Sequence, residues 1–202
     1  EMGANYAFDP KVTAREDGDK GPTSLRVDDA TLRAFYGGEE TGVWRYVTSA
    51  YAGSKSSVPA PSAKPLDSTP CRAAVATASI NPQGQLWACN VLPLPCGDLR
   101  TQSFRDIWYD SPQLARIRQL TWGALEMCST CDVRTYCSRC HAMALLEDGN
   151  IAGPSSEACR HAVILRDLLR EWGLVPASDT ALPPSQALKQ RRSPALRVLH
   201  YP

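Results

Sequence analysis

A stretch near the C-terminal end of the chain carries apolar side chains at helical spacing. We predict a helix over residues 157–172, with Ser155 or Ser156 as its N-cap and Gly173 at its end. Its apolar side chains are those of Ala158, Val163, Leu165, Leu168, Leu169 and Trp172. They form a broad stripe, which is the pattern of an amphipathic helix.

Four shorter helices are predicted from their capping residues. Ser111 followed by Pro112 combines a favourable N-cap with proline at the first helical position. Asp28 or Asp29 caps another helix, which Gly37 ends. The predicted short helices cover residues 28–36, 103–108, 111–122 and 140–149.

A β-hairpin is predicted around the turn Asn81–Gly84, where proline suits the second position and glycine the fourth. Its two strands are residues 72–80 and 85–91. The chain has 16 prolines, which favours many loops and short elements. The sequence therefore predicts a small α+β fold with a β-hairpin and several short helices, irregular and loop-rich.

The distribution of apolar residues also divides the chain. Residues 53–70 are rich in proline and serine and contain almost nothing to bury, so we predict a linker there. Residues 71–172 would form the following domain, and residues 173–202 a poorly ordered C-terminal tail. Residues 1–52 precede the linker and begin with one short predicted strand.

Overall charge and hydropathy exclude some classes of partner. The net charge is +1 without a basic stripe, and no run of about 18 apolar residues exists, so we expect neither nucleic acid nor a membrane as a partner.

No export signal is visible, which predicts a cytoplasmic location, where clustered cysteines bind metal more often than they form disulfides. Because the chain begins at Glu1 rather than at methionine, we expect it to be part of a longer protein.

Eight cysteines dominate the candidate chemistry. Four of them fall in one dense run with the spacing C-x2-C-x5-C-x2-C, and each C-x2-C pair can direct two sulfur atoms at one metal centre. The eight are Cys71, Cys89, Cys96, Cys128, Cys131, Cys137, Cys140 and Cys159.

Three interpretations of these cysteines are open. A zinc ribbon separates its two C-x2-C pairs by about 15–20 residues, and the gap in this sequence is much shorter. Disulfides within C-x2-C pairs would be strained and easily reduced. Two cubane iron–sulfur clusters would use four thiolates each, and eight cysteines suffice for both. We favour the two clusters.

Bound clusters would change the charge of the domain. Eight thiolates and two oxidised cores would add about −4 to the formal +1. Four arginines lie next to cysteines and could offset that charge, unless they are ordinary surface residues: Arg72, Arg134, Arg139 and Arg160. Of the nearby histidines, His141 could ligate a cluster or donate to its sulfur, although most lone histidines do neither, and we expect His161 at the surface.

The order of the cysteines is the basis of a family resemblance. Cys71 is followed by twelve residues, then Gly84, then four residues and Cys89, and the dense run and Cys159 come later. Residues 97–118 add a glycine-started segment with an Ile-Trp pair. This arrangement, over about residues 70–165, resembles the SPASM domain, the C-terminal auxiliary-cluster domain of radical S-adenosylmethionine enzymes. The last spacing of the dense run departs from the family pattern of C-x3-C, so Cys140 is expected to be presented differently.

The resemblance implies two auxiliary 4Fe–4S clusters. One would be held by Cys128, Cys131, Cys137 and Cys159. The other would be held by Cys71, Cys89 and Cys140. Cys96 is the candidate for the fourth ligand, since pairing across the predicted hairpin would place Cys71 opposite Leu94. Pro93 and Pro95 are expected to break the ladder there, and a small buried thiol is the alternative for Cys96.

The resemblance also implies a function. Such clusters relay electrons or bind substrate in oxidoreductases, many of which modify peptides or protein side chains. The C-x3-C-x2-C motif of the S-adenosylmethionine-cleaving cluster is absent from this sequence. S-adenosylmethionine and a third cluster are therefore expected in an upstream barrel, whose end residues 1–52 resemble, and no catalytic residue is assigned.

The expected partners are that barrel, a peptide or protein substrate and an external electron donor. Two alternatives remain: a zinc-binding structural or protein-interaction module, and an independent ferredoxin-like electron carrier.

Overall fold

The computed structural model describes residues 9–38 and 64–175. Within these ranges lie six α-helices and one three-stranded antiparallel sheet, which confirms the predicted α+β fold. The helices are α1 (Asp29–Gly37), α2 (Phe104–Asp110), α3 (Pro112–Arg118), α4 (Glu126–Ser129), α5 (His141–Leu146) and α6 (Ser156–Glu171). The strands are β1 (Ser79–Ile80), β2 (Gln85–Trp87) and β3 (Pro95–Asp98), and short 3-10 helices cover Gly21–Leu25 and Arg134–Tyr136.

The helix ends follow the capping residues of the sequence. The Asp28 side chain accepts a hydrogen bond from the Thr31 amide at 2.8 Å, which begins α1. Ser111 and Ser155 cap α3 and α6 in the same way. Gly173 follows α6 with a φ of +67°, the left-handed conformation in which glycine ends a helix without strain. The predicted long helix and four short helices are confirmed, with α3 ending earlier than expected.

The predicted turn Asn81–Gly84 is present, because the Gly84 amide donates to the Asn81 carbonyl at 3.0 Å, but the strand pairing beyond it is shifted. The Asn81 amide donates to the Gln85 carbonyl at 3.0 Å, so Pro82, Gln83 and Gly84 form a three-residue loop. Gly84 has a φ of +79°, which produces a glycine bulge after the turn. The extra residue shifts the pairing by one position, so that Ile80 faces Leu86.

A third strand, β3, replaces the expected break in the ladder. Trp87 pairs with Pro95, and Leu86 pairs with Gly97, across an irregularity between Leu86 and Trp87. Pro95 begins the strand, and at that position its missing amide costs no ladder hydrogen bond. The expected placement of Cys71 opposite Leu94 is therefore wrong, because β2 ends at Trp87 and Leu94 leads into β3, which pairs with the edge of β2 away from β1.

Two apolar clusters fill most of the interior. The first lies between the sheet and helices α2 and α3, and its fully buried side chains include Leu86, Ile107 and Leu114. The second lies between α6 and the chain around α4, and includes Trp122 and Val133. Both clusters contain cysteines, so the candidate ligands belong to the core of the fold.

Helix α1 packs against α6. Leu32 of α1 is fully buried against Ile164 and Leu168 of α6. Complete burial of a leucine side chain is worth roughly 1.5–3 kcal/mol. Residues on the two sides of the predicted linker therefore belong to one packed unit.

A buried polar network also stabilises the contact between α1 and α6. The Glu157 carboxylate lies 3.0 Å from Arg160 and from His161, and 3.7 Å from Arg26. Burial acts to raise the pKa of Glu157, but the hydrogen bond from His161 and the charges of Arg26 and Arg160 lower it. The other ring nitrogen of His161 accepts the Tyr36 hydroxyl at 2.6 Å. The expected surface position of His161 is wrong, because its ring lies between α6 and α1 and is 4% exposed.

The predicted domain boundaries fall partly outside the described residues. Most of the predicted linker lies in residues 39–63, and nearly all of the predicted tail lies in residues 176–202. The strand expected near the N-terminus falls in part within residues 1–8, and no strand occurs in residues 9–38. None of the helices in the described ranges is long and apolar enough to cross a membrane.

Candidate metal centre

All eight cysteines lie in the described part of the chain, and all are free thiols. None of the disulfides considered above is present among them. Cys71, Cys89 and Cys140 pack against the first apolar cluster, and Cys96 lies within it. Cys128 and Cys137 belong to the second apolar cluster, and Cys131 packs against it. The fold therefore separates the thiols into two groups.

Tight turns and one helix position the second cysteine set, which consists of Cys128, Cys131, Cys137 and Cys159. The Cys131 amide donates to the Cys128 carbonyl at 3.3 Å, which closes the first C-x2-C turn. A 3-10 turn precedes Cys137. Cys159 lies in the first turn of α6, where its amide donates to the Ser155 carbonyl at 2.9 Å.

The thiols of the second cysteine set interact electrostatically with one another. Burial raises the pKa of Cys137 to about 12, and the charges of Cys128 and Cys131 act in the same direction. Burial also raises the pKa of Cys159, and so do the charges of Cys137, Cys128 and Cys131. These are the four thiols that the family resemblance assigns to one cluster, and that assignment stays a prediction. Cys128, Cys137 and Cys159 are buried and Cys131 is partly buried, so negative charge on their sulfurs would need cationic partners.

The first cysteine set consists of Cys71, Cys89 and Cys140, which come from three different parts of the chain. Cys71 precedes the turn at residues 72–77, Cys89 follows β2, and Cys140 is the N-cap residue of α5. Burial raises the pKa of Cys71, and the charges of Cys140 and Cys89 act in the same direction. Cys71 therefore interacts electrostatically with both other thiols of this set, and their role as ligands of one cluster stays a prediction.

Cys96 lies in β3, outside the first cysteine set, and its side chain is 6% exposed. Its sulfur donates to the Leu94 carbonyl at 3.3 Å. Burial raises the pKa of Cys96 to about 11, while the Ala88 amide and the Arg118 charge lower it. The described groups that shift the pKa of Cys96 thus include no other cysteine. Cys96 shares the apolar cluster of the first cysteine set, and its role as a ligand stays a prediction.

A surface cavity borders Cys96. It has a volume of about 480 Å³ and is lined in part by Gly97, Asp98, Asp106 and Gln113. Its size falls within the usual range for sites that hold small ligands.

Two of the four arginines next to cysteines act on the thiols. Arg139 and Arg134 lower the pKa of Cys128, against the larger effect of burial. Arg72 is exposed. Arg160 instead binds Asp29 at 2.6 Å and the Val27 carbonyl at 2.5 Å, and so fastens α1 to α6. The expected charge compensation thus has a structural basis for Arg134 and Arg139.

Lys64 is a cation near the cysteines that the sequence did not single out. Its ammonium group donates to the Cys137 carbonyl at 2.5 Å and lies 5.5 Å from the centre of the Trp122 ring. Burial lowers the pKa of Lys64, and the charge of Cys137 opposes this shift. Its position in a stretch predicted as linker gave no signal of this contact, because the contact joins residues far apart in the sequence.

His141 lies behind the first cysteine set and is 2% exposed. Burial lowers the pKa of His141 to about 4, and the charge of Arg139 lowers it further. A guanidinium group can only donate, so Nδ1 of the neutral ring accepts from Arg139 at 2.5 Å. In this arrangement His141 orients Arg139.

The spacing of the cysteines can now be compared with known families. Residues 71–132 match the family model of SPASM, an iron–sulfur cluster-binding domain. The predicted resemblance is confirmed over these residues. The matched part of the SPASM domain includes Cys71, Cys89, Cys96, Cys128 and Cys131, and ends before Cys137, Cys140 and Cys159. No curated protein and no solved structure gives a significant match to this chain.

The cysteines of this chain fit an iron–sulfur group by the chemistry of their donors. Thiolates are the ligands of iron–sulfur clusters and of zinc, and the first and second cysteine sets supply seven of them. Within residues 9–38 and 64–175, no three Cys, His, Asp or Glu side chains converge on the position of a single metal ion. Lys64, Arg134 and Arg139 provide positive charge beside the sulfurs.

Proposed function

We propose that this chain binds two auxiliary 4Fe–4S clusters as the C-terminal part of a radical S-adenosylmethionine enzyme that modifies a peptide or protein. The observation that carries the proposal is the presence of two groups of thiols, each packed in or against its own apolar cluster, in a chain whose residues 71–132 match the SPASM family model. The separation favours two clusters, because each group has its own apolar surroundings.

The second cysteine set would hold one cluster, and the first cysteine set would hold the other, with Cys96 as its fourth ligand. A bound 4Fe–4S cluster supplies one-electron redox chemistry. The fold shields four of the eight thiols from water, since Cys96, Cys128, Cys137 and Cys159 are each at most 7% exposed, and the other four are partly exposed. Buried cations and backbone amides stabilise the thiolate form of the ligands.

The partners follow from the same proposal. An upstream barrel of the same protein would bind S-adenosylmethionine and a third cluster, and an external donor would supply electrons. A cytoplasmic location is proposed because reducing conditions keep thiols available for metal. The coding sequence upstream of Glu1 tests this assignment: a C-x3-C-x2-C motif supports it, and the absence of that motif there favours an independent ferredoxin-like carrier.

The metal content of the chain is the direct test. Reconstituted without oxygen, the chain is expected to bind about eight iron atoms and about eight sulfides, because two cubanes contain four of each. Iron, zinc and acid-labile sulfide would be measured on the same anaerobic sample. Stoichiometric zinc without sulfide would contradict the proposal and favour the zinc-binding module.

Replacement of Cys96 tests whether the cluster at the first cysteine set has four protein ligands. We expect Cys96→Ala to lower the iron content by about one to four atoms per chain, because the cluster either loses one iron or is lost. Iron content and electron paramagnetic resonance spectra of the reduced protein would be compared with those of the parent chain.

Two further variants make this test specific. Cys89→Ala removes a thiol of the first cysteine set and should have the same effect or a larger one. Cys96→Ser offers an oxygen ligand, so it should change the spectrum while retaining more iron than Cys96→Ala. Full iron content and an unchanged spectrum in Cys96→Ala would show that Cys96 is a buried core thiol and that one iron at this site is open.

A further inference from the structure

Arg139 is a buried cation held in one orientation by the backbone. Its side chain is 2% exposed, although its sequence position between Ser138 and Cys140 gives no sign of burial. The guanidinium group donates to the Gly153 carbonyl at 3.0 Å through Nε and at 2.5 Å through Nη2. Nη2 also donates to the Ile151 carbonyl at 2.5 Å. Together with the bond to His141, these contacts fix the group in place.

The charge of Arg139 reaches both groups of cysteines. Burial lowers the pKa of Arg139, while the charges of Cys128 and Cys137 raise it from one side and those of Cys71 and Cys140 raise it from the other. In the chain, Arg139 stands between Cys137 of the second cysteine set and Cys140 of the first, and its hydrogen bonds to the Gly153 and Ile151 carbonyls hold the buried guanidinium group there. Its charge interacts with members of both sets.

Arg134 and Lys64 act on thiols of the second cysteine set, whereas Arg118 acts on Cys96. Arg134 donates to the Cys128 carbonyl at 3.4 Å and also to the Ser129 carbonyl, and its charge acts on Cys128 and Cys131. Lys64 acts on Cys137. These two residues give a natural comparison, because each carries the same charge as Arg139 but faces one set only.

A fixed positive charge at this position has a defined effect on electron uptake. Each one-electron reduction adds one negative charge to a cluster, with no proton required. A guanidinium group stays protonated at any working pH, and its interaction with a nearby charge is stronger in a buried site than in water. It therefore stabilises the reduced form of a nearby cluster more than the oxidised form.

We propose that Arg139 is a shared counter-charge that lies between the two cluster sites and raises the reduction potentials of both bound clusters. This inference rests on the proposed function, since it requires both sites to bind a cluster. Arg139 would act through its charge, and its hydrogen bonds to Ile151, Gly153 and His141 set where that charge lies.

The test is a redox titration of the full chain with dithionite, followed by electron paramagnetic resonance after anaerobic reconstitution. Arg139→Gln removes the charge but keeps a polar side chain, and we expect both potentials to become more negative. Arg134→Gln is the matched control, and only the cluster at the second cysteine set should shift. Cys71→Ala and Cys137→Ala, each of which disrupts one site, would assign the two signals.

Arg139→Lys is the control that separates the loss of charge from a folding defect. Lysine keeps the charge but cannot form the same fork, so its two potentials should lie closer to those of the parent chain than to those of Arg139→Gln. A shift of one potential only, or of neither, in Arg139→Gln with full iron and sulfide would overturn the proposal. Loss of iron in both Arg139→Gln and Arg139→Lys would overturn it as well, because Arg139 would then serve to shape the fold.

The same samples separate this inference from the proposed function. A parent chain that binds no iron and sulfide would contradict the proposed function itself. A parent chain with about eight iron atoms and unshifted potentials in Arg139→Gln would contradict only the role of Arg139.

Discussion

Replacing Cys137 by alanine is expected to remove one cluster, so that the iron content of the anaerobically reconstituted chain falls from about eight to about four atoms. Cys137 is 6% exposed and interacts with Cys128 and Cys131. Its loss leaves three thiolates and an open iron in an apolar site, where nothing else among the described residues of that set replaces the missing charge. Because ligand binding and folding are coupled, the thermal unfolding midpoint should also decrease.

Ser138→Ala is the matched control for this variant. Ser138 is the next residue in the chain and is exposed, so its replacement by alanine should leave the iron content and the unfolding midpoint unchanged. Iron, sulfide and circular dichroism melting curves would be measured for both variants in parallel. Equal iron contents in Cys137→Ala and the parent chain would contradict the assignment of the second cysteine set as a cluster site.

Local signals in the sequence predicted most of the helices. Asp28, Ser111 and Ser155 each accept a backbone amide at the start of a helix, and this interaction depends only on residues three positions apart. Gly173 marks the end of α6 for an equally local reason. Such elements are predictable because capping requires no knowledge of the rest of the fold.

The sheet was less predictable, because its register depends on one backbone conformation. The turn residues were recognised, but the left-handed conformation of Gly84 adds a residue to the loop and shifts the pairing. β3 was not predicted, because its prolines argue against a central strand. Pro95 is tolerated at the first position of that strand, and only the pairing with Trp87 reveals this.

At the candidate site, the order of the cysteines in the sequence predicted the type of site. The residues that surround the thiols in the fold could not be predicted. The family resemblance carried by that order of the cysteines assigned seven thiols to two sets, and this assignment stays a prediction. The burial of Arg139 and His161 and the approach of Lys64 to Cys137 depend on contacts between distant parts of the chain. A single sequence contains no periodicity or motif that encodes such contacts.

The second large effect is expected at Gly97, the residue after Cys96 in β3. A Cβ atom at this position would lie 2.6 Å from Cγ1 of Ile107 and 2.8 Å from its Cδ1 and Cγ2 atoms. Ile107 is 1% exposed and packed in the first apolar cluster, so it has little room to move away. We expect Gly97→Ala to lower the free energy of unfolding by about 1–3 kcal/mol, measured by denaturant titration.

A comparison with a second glycine isolates the cause. A Cβ atom at Gly37 would lie 3.6 Å from the Trp172 ring, an ordinary van der Waals contact, so Gly37→Ala should leave stability unchanged or raise it by up to about 1 kcal/mol.

The clash itself can be tested with Ile107→Ala, which removes all three atoms that the methyl group introduced by Gly97→Ala would meet. Alone, this substitution opens a cavity and should cost about 2–5 kcal/mol. In the double variant the new methyl group occupies part of that cavity, so the total cost should be smaller than the sum of the two single costs. Strictly additive costs would show that Gly97→Ala acts through the backbone of β3 and not through contact with Ile107.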